Sequence, residues 1–85
     1  MKWKYAVIHG QVKPNWNMEQ IEKDMVKYKA DVEKKGYKLV FWGHPFGVSE
    51  GMIAVLDIEG HMDQFPNNLV SGPWIEDRTE FVMVH

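Results

Sequence analysis

The sequence predicts an α+β fold: four strands in one antiparallel sheet with two helices on one of its faces, in the element order β-α-β-β-α-β. Three observations predict it. Trp3 to Val12 alternates with period two. A capped segment follows, with apolar residues every three or four positions. Three further β-rich runs come after a glycine stop.

In the first strand one parity reads Trp3, Tyr5, Val7, His9 and the other Lys4, Ala6, Ile8, Gly10. Lys13-Pro14-Asn15-Trp16 breaks the strand. Asn17 then reads as a helix N-cap, with Glu19 in the first turn and Gln20 three residues on. Met18, Ile21, Met25, Tyr28 and Val32 form one apolar stripe, and Lys34, Lys35 and Gly36 suit the C-terminal end. Tyr37–His44 reads as the second strand, Pro45 as its end, and Phe46 to Gly51 as a turn into a third strand, Met52–Ile58. Glu59-Gly60 breaks that strand. A short second helix is expected over His61–Val70, although Pro66 falls inside it. Ser71 to Trp74 reads as a loop, Ile75 to Arg78 carries no assignment, and Thr79–His85 reads as the last strand. Right-handed crossovers around a central hairpin give a single ferredoxin-like domain over residues 1–85, with strand order 4-1-3-2.

Composition limits the function. The chain has 85 residues, 45% of them hydrophobic, with 10 Lys plus Arg against 12 Asp plus Glu. A net charge of -2 argues against binding to nucleic-acid phosphates, which rewards a basic surface. Cysteine is absent, so neither disulfides nor thiolate metal sites can support the fold. No apolar run approaches the ~20 residues of a membrane span. Met1-Lys2-Trp3-Lys4 is not followed by the apolar core of a signal peptide, and a cytoplasmic location is expected.

Both parities of the strands are apolar, whereas two helices cover one sheet face. The aliphatic parity (Ala6, Ile8, Leu39, Phe41, Met52, Ala54, Leu56, Ile58, Val82, Val84) is assigned to the helices. The aromatic parity, with His9, His44 and Asp57, is then left for a partner. The expected partner is a second copy, packed sheet face to sheet face.

The element order, the two apolar faces, the His44-Pro45-Phe46-Gly47 to Gly51 hairpin and the Gly72-Pro73-Trp74 run resemble the dimeric α/β-barrel superfamily over essentially the whole chain. That group includes small antibiotic-biosynthesis monooxygenases, muconolactone isomerase-like proteins and stress-responsive barrel proteins. The resemblance rests on architecture. It implies a homodimer with a cavity between sheet and helices and leaves the activity open. The Pro66-containing second helix departs from many members.

Several residues are candidates for chemistry. His9 and His44 fall at one end of the sheet and are either acid–base catalysts or strand-end histidines bonded to backbone or water. Trp3, Tyr5 and Trp42 either line an aromatic ligand pocket or act as interface or core anchors. Asp57 is either solvated near a strand end or a carboxylate in the dimer cavity. Trp74 is placed across the cavity mouth on the strength of the resemblance. No metal-ligand spacing and no Walker or dinucleotide fingerprint occurs, so neither metal nor cofactor is expected. The expected function is a small homodimer that binds an apolar or aromatic small molecule between sheet and helices. A cofactor-free monooxygenase- or isomerase-like reaction is the chemistry that the resemblance implies. The alternatives are a non-catalytic sensor or structural dimer, and an interaction module using the edge strand near Tyr37 to Trp42.

Overall fold

The structure, a computed structural model, describes residues 2–47, 51–59 and 72–85. These form β1 (Lys2–Val12), α1 (Met18–Lys34), β2 (Lys38–Gly43), β3 (Met52–Asp57) and β4 (Trp74–Val84). The strands make one antiparallel sheet in the order β2-β3-β1-β4.

The helix forms where its capping residues place it. Asn17 is the N-cap, and its side-chain oxygen accepts the Gln20 N–H at 2.8 Å. At the other end Tyr37 N–H donates to Val32 O and Gly36 N–H to Glu33 O, each at 3.1 Å, with Gly36 left-handed at φ 92°. This 6→1 and 5→2 pair satisfies the last carbonyls and turns the chain directly into β2.

The βαββαβ ferredoxin-like class with two helices is corrected. Among the described residues there is one helix, and the antiparallel sheet curls. The second helix expected over His61–Val70 lies outside the described residues. The sequence of that stretch holds a helix breaker, and the described strand after it differs from the expected one. Pro66 removes an N–H and crowds the preceding turn of any helix there. In addition β4 starts at Trp74, five residues earlier than expected, and Trp74 itself fills core beside α1. The Ser71–Trp74 loop therefore ends in a strand residue.

The core lies between α1 and one sheet face. Ile21, Met25, Tyr28 and Val32 pack on Ala6, Ile8, Met52, Ala54, Leu56 and Ile58, all buried. The parity expected for β1 and β3 is the one observed. On β2 and β4 it is not. Val40 is an extra residue between Leu39 and Phe41, so Trp42 turns to the core and Phe41 is exposed. On β4, Phe81 pairs with Ala6 and packs on the core, while Val82 and Val84 are exposed.

Trp74 joins three elements. It pairs with Val12 across β1–β4, and its ring meets Tyr28 of α1 edge-on at 4.9 Å between centroids. It can do so because two neighbours are glycine. A Cβ at Gly10 would lie 2.5 Å from Trp74 Cδ1, and one at Gly72 would lie 2.5 Å from Cη2. Neither glycine has a left-handed backbone, so the requirement is for space. Gly10→Ala is expected to displace the indole and cost about 1–3 kcal/mol of stability, as overpacking typically does. An unchanged urea midpoint for this variant would show that the indole does not depend on Gly10.

Candidate functional site

The sheet face away from α1 carries the polar clusters. Cross-strand partners share a face, so the register places the side chains there. Val7 lies between Val55 and Glu80, and His9 between Ile53 and Arg78. β4 presents Arg78 and Glu80 on this face because it holds one extra residue, Asp77, between Glu76 and Arg78 in its pairing with β1.

Among the described residues, His9 is the buried polar residue of this face, 8% exposed. Its Nε2 lies 2.5 Å from Glu80 Oε1, and Arg78 donates to the same oxygen at 3.1 Å. A carboxylate can only accept, so Nε2 carries the proton. The other nitrogen, Nδ1, is buried and has no hydrogen-bond partner among the described residues. An imidazole oriented by a carboxylate at one nitrogen, with the second nitrogen unbonded, is a general acid–base arrangement. In the single chain that nitrogen is shut off from solvent.

A second cluster stands at the other end of the face. Lys4 is the extra residue of β1 between Trp3 and Tyr5 in the pairing with β4. Its Nζ lies 2.8 Å from Asp57 Oδ2 and also bonds Glu59, while Lys2 reaches Glu59 at 3.1 Å. Asp57 Oδ1 accepts the Glu59 N–H at 3.0 Å, which holds the turn after β3 with Glu59 at φ 44°. Asp57 is thus a partnered, turn-forming carboxylate. Hydrogen bonds to Asp57 and then Glu59 hold the Lys4 ammonium above its ordinary pKa. The hydrogen bond from Lys4, followed by that from Lys2, holds the Glu59 carboxyl below its ordinary pKa. Tyr5 pairs with Asp57 and His9 with Ile53, so the two clusters are four residues apart along β1, about 13 Å.

The remaining candidates separate. His44 Nδ1 donates to Gly51 O at 2.8 Å and its ring meets Trp42 edge-on, so it closes the β2–β3 hairpin. Trp42 pairs with Ala54 on the core side, and His44 accompanies it, on the opposite side of the sheet from His9. Trp3 pairs with Met83 and is 36% exposed. Tyr5 lies on the uncovered face, half-buried. Trp74 is in the core. Of the sequence candidates, Tyr5, His9 and Asp57 share a face. Glu80, Arg78 and Lys4 were missed by sequence reasoning. The available signal was the Arg78-Thr79-Glu80 alternation, which puts opposite charges on one side of a strand.

Two hollows open on the helix side. One, of about 320 Å³, is lined by Lys13, Trp16, Asp24, Lys27, Tyr28 and Asp31 among others. The other, of about 430 Å³, runs between α1 and β2. Among the described residues no group of three or more His, Asp or Glu side chains is placed to hold a metal ion. Nor, among them, is any helix long and apolar enough to cross a membrane.

Comparison with family models, with curated proteins and with solved structures finds no match.

The Lys4 cluster sets a pH dependence. A carboxyl held below its ordinary pKa stabilises the fold above that ordinary value and loses the contribution as pH falls through the lowered value. An ammonium held above its ordinary pKa contributes fully below 10.5 and loses it as pH rises through the raised value. Wild type is therefore expected to exceed Glu59→Gln in stability at neutral pH, with the gap closing as pH falls below 4.5. Urea midpoints across an acid series check this, and a gap that stays constant into acid would refute the cluster's role.

Proposed function

We propose that the chain acts in the cytoplasm as a homodimer, closed uncovered face to uncovered face, which holds a small aromatic or apolar molecule beside the His9–Glu80 pair. The observation that carries this reading is His9 itself. A buried imidazole with an unbonded nitrogen costs about 1–3 kcal/mol. Here it sits on the sheet face that α1 leaves uncovered. The space between sheet and helix is taken by core side chains, so the uncovered face is the better place for a ligand. That face also presents exposed Phe41 and Val82 around half-buried Tyr5 and Val7, an apolar surface suited to a twofold contact. In the dimer the ligand's polar group reaches His9 Nδ1, which the single chain shuts off, once the side chains packed on the ring move aside. Binding is the activity proposed, with His9 as the hydrogen-bonding group.

Val82→Lys puts a charge on the uncovered face at a position already 40% exposed, where the monomer tolerates it. Its sedimenting mass at micromolar concentration is expected to be half that of wild type. A monomeric wild-type chain would end the dimer reading. Anilinonaphthalene sulfonate serves as an aromatic probe. His9→Gln is expected to weaken its binding by about tenfold, the factor that one lost hydrogen bond of about 1.4 kcal/mol produces. Unchanged dye affinity in an intact dimer would remove His9 from the site.

A further inference from the structure

The hollow between α1 and β2 has a symmetry of its own. β2 is an outer strand of the described sheet, and α1 lies against it. Glu22, Met25, Val26 and Lys29 line the hollow from the helix, and residues 39–42 line it from the strand. Glu22 and Lys29 are equidistant from its middle, which falls between Met25 and Val26. The strand residues are centred between Val40 and Phe41. Val26 is 73% exposed there and Val40 47%, an unusual exposure for two β-branched residues side by side.

An acid and a base placed evenly about an apolar centre are what an isologous contact requires. Rotating a second copy by a twofold through the hollow brings Glu22 against Lys29 of the partner subunit, twice. The two Val26 side chains meet at the axis. The same rotation lays β2 antiparallel to its copy, with Leu39 opposite Trp42 of the partner subunit, Val40 opposite Phe41 of the partner subunit and Lys38 opposite Gly43 of the partner subunit. Leu39 and Trp42 both pack toward the core side of the sheet, so this register pairs like face with like face. Lys38, the charge that would protect an open edge, falls opposite a residue with no side chain.

We propose that the β2–α1 edge takes a second copy of this chain in a twofold contact that continues the sheet from one subunit into the next. The contact is separate from the uncovered-face contact proposed above, and a chain that makes both assembles with two perpendicular twofolds.

Charge exchange tests it, with mass measured by sedimentation at micromolar concentration and helix content by circular dichroism. Glu22→Lys and Lys29→Glu each replace two attractive contacts by two repulsive ones, and each is expected to weaken the edge contact by about tenfold or more. The double variant Glu22→Lys/Lys29→Glu restores attraction and is expected to return to near wild-type association. Val26→Lys is expected to halve the mass with helix content unchanged. Val82→Lys, on the other face, leaves the edge contact in place. The proposal is overturned if Val26→Lys and Glu22→Lys keep the wild-type mass, or if the double variant associates no better than the single ones. Loss of mass in Val82→Lys alone would leave the uncovered-face contact standing and remove this one. Loss in Val26→Lys alone would do the reverse.

Discussion

The indole of Trp74 is the contact on which the placement of β4 depends. It rests on Gly10 of β1 and against the edge of Tyr28 in α1, so one side chain joins the last strand, the first strand and the helix. Its position turns Trp74 inward at the start of β4. Strand alternation alone would then turn Arg78 and Glu80 inward as well, charges that the apolar core could not hold unpaired. The extra residue at Asp77 reverses the alternation. Phe81 goes to the core instead, and Arg78 and Glu80 emerge beside His9. The site is therefore a consequence of how the core is anchored, carried through one bulge.

The same device recurs. Lys4 is the extra residue near the start of β1, and it puts its ammonium beside Asp57 and Glu59. Val40 is the extra residue of β2, and it turns Trp42 to the core and Phe41 outward. Each bulge costs ladder hydrogen bonds and adds twist. In exchange the sheet curls around its single described helix, and charges that regular alternation would scatter are gathered into two paired clusters on one face.

This explains which features were legible in the sequence. Asn17, Gln20, the apolar stripe and Gly36 define α1, because helix capping is local chemistry between residues close in the chain. β1 and β3 were legible from alternation, and so was the order in which the strands neighbour one another. The class was not. Its second helix depended on residues around Pro66, where helical spacing and helix-breaking residues compete. The parity of β2 and β4 was also beyond reach, since a bulge is decided by contacts with a distant strand. His9 was recognisable as a candidate by its residue type. Its partners Glu80 and Arg78 were not, because they reach it through the Asp77 bulge. His44 was read onto the face of His9, but the Val40 bulge carries it to the other side.

The excess of apolar residues over what one helix can cover then falls into two groups. Phe41 and Val82 lie on the uncovered face, while Val26 and Val40 lie at the β2 edge. The groups differ in what surrounds them. The face carries charges paired within the chain, Lys4 with Asp57 and Glu59 and Arg78 with Glu80, around exposed apolar side chains. The edge has an acid and a base set apart on either side of its centre, too far from each other along the helix to pair, since only residues three or four apart are neighbours. A surface whose charges are satisfied internally associates through area, and one whose charges are held apart selects a partner by register. Of the two contacts proposed, the β2 edge is thus the one that register would make specific, while the uncovered face holds the buried histidine.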